Sequence, residues 1–388
     1  MRVLAAFDKF KDSISARKAC EAAAGAIAAA RGGWEVDSCP LADGGEGFAG
    51  ILTQAARGSE LRTAVTGPRG EEVTAAYGIV SLSRIPAAAR TRLGAEGAWP
   101  GGTLAVVEMA AASGLALLAP WTRDPFRASS IGTGQLIRVA ARSGVRAILL
   151  GVGGSATHDL GLGALGALGI EFETVSGDTL DSPVPADWPN IRAIDGRISG
   201  LIPPILIACD VDNPLLGPYG ALAVYGPQKG IRPADAAALE SETARIAAMV
   251  CHHFGRPESL VDERGAGAAG GIAFGLMAGA GARLLPGFEL VASWLDLDAR
   301  LAAADIIVTG EGRFDDSSLS GKGPGALVRR ALDLGKPVHV FAGQLALTRE
   351  IPGLFTHSIT PPGMAFSEAL AKAPALLAGA VRRAFSDR

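Results

Sequence analysis

The sequence predicts an α/β protein whose parallel sheet is built from both chain ends, with a second α/β domain inserted between them. Three observations carry this. Short apolar runs alternate with Ala-rich helical stretches at both ends, and such βαβα connections require parallel strands covered by helices. From about residue 63 to 288 the texture changes, with an alternating strand pattern and Pro-rich connections at 183–189 and 203–204. Finally, 388 residues exceed what one core ordinarily serves, and 48% of them are apolar, enough to pack rather than stay disordered. The expected domains are 1–62 with 289–388, and 63–288.

In chain order, Val3–Phe7 is an apolar run suited to a buried strand. Ser13 or Ser15 can cap a helix through the following Ala-rich segment to Arg31, where Gly32 and Gly33 stop it. A strand near Glu35–Leu41 follows, then a Gly-rich loop, then a helix to about Ala56. Inside the insertion, Val73–Val80 alternates as a strand with one wet face, and Asp235–Phe254 reads as a long helix. Ala147–Leu150 and Ile205–Ala208 are short buried strands. The C-terminal part returns to the opening pattern, with strand Asp305–Thr309, helix Pro324–Leu334, strand Val338–Phe341 and a last helix from Ser367 to Phe385.

Composition excludes several classes. A net charge of −3 without any basic run argues against nucleic acid or an anionic membrane as partner. Cys20, Cys39, Cys209 and Cys251 are widely spaced, so they read as reduced thiols rather than a disulfide frame or zinc site. Charged residues from Asp8 onward leave no room for a signal-peptide core, and the longest uncharged apolar stretch, Ala266–Ala282, is Gly-rich and short for a membrane span. A cytoplasmic protein is expected, acting as a monomer or homodimer. Only seven of the 36 basic residues are Lys, and four of those, Lys9, Lys11, Lys229 and Lys322, fall inside the polar motifs below.

Those motifs follow probable strands, where open α/β sheets bind ligands. DKFKDS places Lys9 and Lys11 beside a helix start, a ready anion site. ADGGEG presents Asp43 and Glu46 around a Gly pair. GVGGSATHD (Gly151–Asp159) offers backbone N–H groups at Gly153 and Gly154, with hydroxyls at Ser155 and Thr157, to phosphate oxygens. CDVDNPLLG sets Asp210, Asp212 and Asn213 at a strand end, oxygens suited to a hard cation or to a hydroxyl proton. Lys229 closes that segment in GPQKG. GAGAAGG (Gly265–Gly271) is either a phosphate contact or a packing loop. TGEGRFDDSSLSGKG carries Glu311, Arg313, Asp315 and Lys322: cations for phosphate and acids for metal or proton control, without P-loop spacing. Each motif alone also suits an ordinary turn; together, at least four polar, Gly-rich loops that each follow a probable strand are expected to converge on one cleft.

In this order and spacing, DKFKDSISA, PLADGGEG, GVGGSATHD, ACDVDNPL with GPQKG, GAGAAGG and GEGRFD with GK resemble the bacterial glycerate kinase family, of the glycerate 2-kinase type. The resemblance covers essentially the whole chain. It implies two α/β domains, one a Rossmann-like sheet made from both ends, and ATP with Mg2+ phosphorylating D-glycerate to 2-phosphoglycerate. Carried across, Lys9, Lys11, Asp43, Glu46, Asp210 and Arg313 are the expected catalytic residues. Gly153, Gly154, Ser155, Thr157, Lys229, Glu311 and Lys322 are expected to hold the nucleotide, and Asp210, Asp212 and Asp315 the metal.

The chain departs from the family pattern where Asp12 and Leu160 stand for Gly, His158 for Asn and Ser317 for Gln. Asp tolerates a turn position. Leu160 fills space that a Gly leaves open. His158 puts an imidazole into the expected phosphate loop, with pH sensitivity near 6.5. Two other readings exist. Gly151, Gly153 and Ala156 satisfy G-x-G-x-x-A with Glu171 twenty residues on, the outline of an NAD-dependent dehydrogenase. A non-catalytic sensor of a small acid is the other, motivated by His158 and Ser317.

Overall fold

Backbone contacts in the structure, a computed structural model, divide the chain into two units: Met1–Asp43 with Val291–Arg388, and Gly44–Leu290. Residues 1–95, 99, 101–320 and 323–386 are described.

The unit of the chain ends holds a five-stranded sheet, ordered Leu354–Ser358, Val338–Ala346, Ile306–Asp315, Arg2–Ala5 and Glu35–Ser38, with every pair parallel. Val3, Leu4 and Ala5 are fully buried, as a strand covered on both faces must be. Helices Ala16–Ala30 and Phe366–Ser386 pack together, and Ile27, Leu377, Val381 and Phe385 share a core with Val3, Phe7 and Phe341. Ser15 caps the first of them, its side chain accepting from the Lys18 N–H at 3.4 Å. The strand expected over Asp305–Thr309 runs on to Asp315, so Gly310–Asp315 is strand rather than loop. Val338–Ala346 pairs with it along that extension, and Phe314 is buried within it.

Residues 44–290 build a six-stranded mixed sheet. Arg283–Pro286, Ile205–Cys209, Ala147–Gly151 and Thr103–Glu108 are parallel, and Glu72–Ser81 and Ser59–Thr66 add two antiparallel strands. Residues 44–62, expected with the chain ends, group here. Helix Phe48–Ala55 packs on Glu72–Ser81 and Thr103–Glu108, and Ser59–Thr66 pairs along its length with Glu72–Ser81. A small antiparallel sheet joins Thr179–Leu180, Ile170–Thr174 and Ile191–Gly196. The long helix Pro233–His253 shares a core with Phe172, Trp188 and Phe274. Among the described residues no helix is long and apolar enough to cross a membrane, and none of the four cysteines forms a disulfide.

Candidate active site

In the unit of residues 44–290, strand Ala147–Gly151 delivers the loop 152–160, and one buried cation organises it. The Lys229 ammonium donates to Ser155 Oγ at 2.9 Å and to the Thr157 carbonyl at 2.7 Å, with only 3% of the residue exposed. Burial pushes its pKa down to about 7, opposed by the charge of Asp159. Asp159 is itself fully buried and collects the Ser130 N–H and hydroxyl at 2.7 Å each, with the Gly161 and Gly163 amides at 3.2 and 3.3 Å. Burial raises its pKa against these donors. The Thr157 hydroxyl is buried with no hydrogen-bond partner among the described residues, a donor that a ligand oxygen would satisfy. Gly153, expected to offer its N–H to phosphate, gives it to the Gly44 carbonyl at 3.0 Å. The two loops touch there, and a Cβ on Gly153 would lie 2.7 Å from the Gly45 Cα. The Ala156 N–H goes to the Ser113 carbonyl, so donor capacity shifts to Gly154, Ser155 and Thr157.

His158 departs from expectation. Its Nε2 meets Thr243 Oγ1 of the long helix at 3.2 Å, and the ring is 1% exposed beside Trp188. Burial, then the charge of Lys229, pushes its pKa down to about 3, so it stays neutral and supplies no switch near 6.5. Leu160 takes φ +53, and Asp12 takes φ +61. A left-handed leucine costs about 1–2 kcal/mol, but burying its side chain completely returns about 1.5–3 kcal/mol, so packing wins. The segment Gly265–Gly271 packs against the same loop. Gly270 accepts from the Leu160 N–H at 3.1 Å and abuts Thr157.

At the end of strand Ile205–Cys209, Asp210 is half-buried and its Oδ2 accepts the Phe288 N–H at 2.6 Å, capping helix Gly287–Trp294. Asp212 is exposed and pairs with Arg264 at 2.7 Å. Asn213 bonds its own loop, donating to the Tyr219 carbonyl and accepting from the Tyr225 hydroxyl. Glu46 is exposed. Glu108, which sequence reasoning passed over, accepts the Gly47 and Ala49 amides and fixes the ADGGEG turn to helix Phe48–Ala55.

In the unit of the chain ends, the turn after Arg2–Ala5 carries Asp8 and Lys9. Lys9 Nζ lies 3.8 Å from Asp43 Oδ1. Asp8 is half-buried, and its Oδ1 accepts the Lys9 N–H at 2.7 Å. Burial first, then Asp43, raises the Asp8 pKa to about 7, against Lys9 and that hydrogen bond, with Glu311 adding to the rise. Glu311 is raised as well, by burial first. Arg313 donates to Asp315 Oδ2 at 2.9 Å, and Asp315 also accepts the Ser318 N–H. Lys11 is exposed. Lys322 and the Ser317 side chain lie outside the described residues. Asp8 is the residue sequence reasoning missed: its signal arises from burial in the fold and from Asp43 and Glu311, distant in the chain.

Among the described residues no three of His, Cys, Asp and Glu gather to hold a metal by themselves. Magnesium commonly takes one or two carboxylates with substrate phosphates and water, and Asp210 at a strand end fits that use. The dinucleotide reading loses its context. No helix opens at Gly153, the next being Leu162–Ala167, and Glu171 is exposed on an antiparallel strand.

The family model described as the glycerate kinase family matches residues 3–387. A glycerate kinase of Haemophilus influenzae is 35% identical over 367 residues, covering 92% of this chain and 89% of that one. The glycerate 2-kinase of Escherichia coli K12 is 35% identical over 363 residues, with 92% and 89% covered. A solved structure from Salmonella typhimurium LT2 whose description names glycerate kinase 2 matches with a TM-score of 0.73 at 34% identity, over 100% of this chain and 96% of that one.

Proposed function

The chain belongs to the glycerate kinase family and is a phosphotransferase, and on that premise we propose that it moves the γ-phosphoryl group of ATP to the 2-hydroxyl of D-glycerate, forming 2-phosphoglycerate in the cytoplasm. The observation that carries the reading is the loop 152–160, in which a buried ammonium ties Ser155 and Thr157 into one donor surface. Amides and hydroxyls held in advance stabilise phosphate charge without reorganisation during the reaction.

In this reading Gly154, Ser155 and Thr157 hold nucleotide phosphates, and Lys229 keeps them in place. Arg313 exchanges Asp315 for the moving phosphoryl group, and Lys9 takes the glycerate carboxylate. Asp210 would hold magnesium together with the phosphates, and the ion when bound neutralises their charge. Asp212 and Asp315 would join only by leaving Arg264 and Arg313.

Asp210→Asn tests the assignment cleanly, because the amide still offers an oxygen to the Phe288 N–H. Glycerate-dependent turnover should fall about 100-fold or more, with a higher magnesium requirement and an unchanged melting temperature. Turnover equal to the unmodified enzyme would remove Asp210 from the site.

A further inference from the structure

We propose that Asp8 is the general base of the transfer, taking the proton of the glycerate hydroxyl as that oxygen attacks the γ-phosphorus. The proposal rests on the function proposed above and adds a residue absent from the sequence-based set. The acids assigned to the proposed chemistry differ in what holds them. Asp210 caps a helix, Asp212 and Asp315 pair with arginines, and Asp43 lies beside the Lys9 ammonium with 46% of its side chain exposed. Asp8 stands apart. One oxygen is fixed by the adjacent Lys9 amide, which sets the rotamer. The other lies 3.8 Å from where a Gly323 side chain would begin, and with glycine there no side chain from that position stands against it.

The groups facing Asp8 are Lys9 from its own turn, Asp43 from the turn after Glu35–Ser38, and Glu311 on the strand Ile306–Asp315. Burial raises the carboxyl most, Asp43 and Glu311 add to the rise, and Lys9 opposes it. The carboxyl therefore titrates near the pH at which it must take up and release a proton every cycle. In the step itself the O–H bond of the acceptor breaks and its proton passes to Asp8 Oδ2. The electron pair left on oxygen forms the new O–P bond. The bond from the γ-phosphorus to the bridging oxygen breaks, and its pair leaves with ADP. Asp8 then returns its proton to water.

Asp8→Asn is the test, since the amide oxygen can still accept the Lys9 N–H and keep the turn. With saturating ATP and magnesium, kcat should fall about 10²–10³-fold while the KM for D-glycerate stays within about threefold. The rising limb of kcat/KM against pH, centred near 7 in the unmodified enzyme, should vanish, and Asp8→Glu should restore part of the rate. Retention of more than about a tenth of kcat, or a loss that leaves the rising limb in place, overturns the proposal. If Asp8→Asn does not fold, a carbon-13 titration of the carboxyl in the unmodified enzyme decides, and a midpoint in the ordinary carboxylate range refutes the role. Should the unmodified enzyme fail to use glycerate, the proposed function and Asp8's role fall together. Should it use glycerate and Asp8→Asn match it, Asp8's role falls alone.

Discussion

Lys229→Met is expected to lower kcat/KM for the nucleotide about 10²–10³-fold while the chain stays folded. The methionine keeps the apolar stem but deletes the ammonium that donates to Ser155 Oγ and the Thr157 carbonyl. Hydrogen bonds from a charged donor are worth about 1.5–3 kcal/mol each. Losing part of two of them in the transition state gives about 3–4 kcal/mol, which is that rate factor. Two pH signatures accompany the loss. Folded, the ammonium titrates near 7, so activity falls above that pH in the unmodified enzyme, and the variant lacks this falling limb. Stability carries the second. Unfolded, the group keeps its ordinary pKa of 10.5, so from about 7 to 10.5 the unfolded chain holds the extra proton. Stability of the unmodified protein therefore rises with pH across that window, and the full burial penalty stands below it. The melting temperature of the unmodified protein relative to the variant should climb from pH 7 to about pH 9. A flat difference, or wild-type kinetics, contradicts a buried, loop-organising lysine.

Gly270→Ala is expected to destabilise by about 2–5 kcal/mol, most of it from contact rather than backbone strain. Gly270 has φ +73, and a Cβ there would meet the Thr157 carbonyl at 2.0 Å and the His158 Cα at 2.8 Å. Gly335 supplies the control, with φ +68 and nothing within 4 Å of its Cβ position. Gly335→Ala should cost only about 1 kcal/mol, the left-handed strain alone. Urea unfolding of both variants measures the difference. Glycerate turnover should fall only in Gly270→Ala, because the displaced backbone carries Thr157. Equal costs would mean that the Gly265–Gly271 segment yields freely and does not hold the loop.

What the sequence showed was local. The Val3–Phe7 run, the Ser15 cap and the last helix, expected from Ser367 to Phe385, could each be read from periodicity and a single capping side chain. What it hid depends on partners far away in the chain. The strand from Asp305 continues to Asp315 because Val338–Ala346 offers a longer ladder. Residues 44–62 join the middle unit because helix Phe48–Ala55 packs on Glu72–Ser81 and the strand from Ser59 pairs with it. His158 sits in a loop that reads as a phosphate site, yet Thr243, on a helix more than eighty residues away, claims its ring. The same holds at the site. Lys229 stood out by its motif and the rarity of lysine, but its hold on Ser155 and Thr157 is a tertiary fact. Asp8 read as the neighbour of two lysines, and the raised carboxyl emerges only once the fold buries it and brings Asp43 and Glu311 to face it.

ATP-dependent phosphorylation of D-glycerate at its 2-hydroxyl is checked by following ADP formation from ATP and magnesium with and without D-glycerate, and reading the product by phosphorus-31 NMR. Glycerate-dependent ADP is expected, with 2-phosphoglycerate as the sole new phosphate ester. No ADP above the glycerate-free rate, or 3-phosphoglycerate in its place, would contradict it.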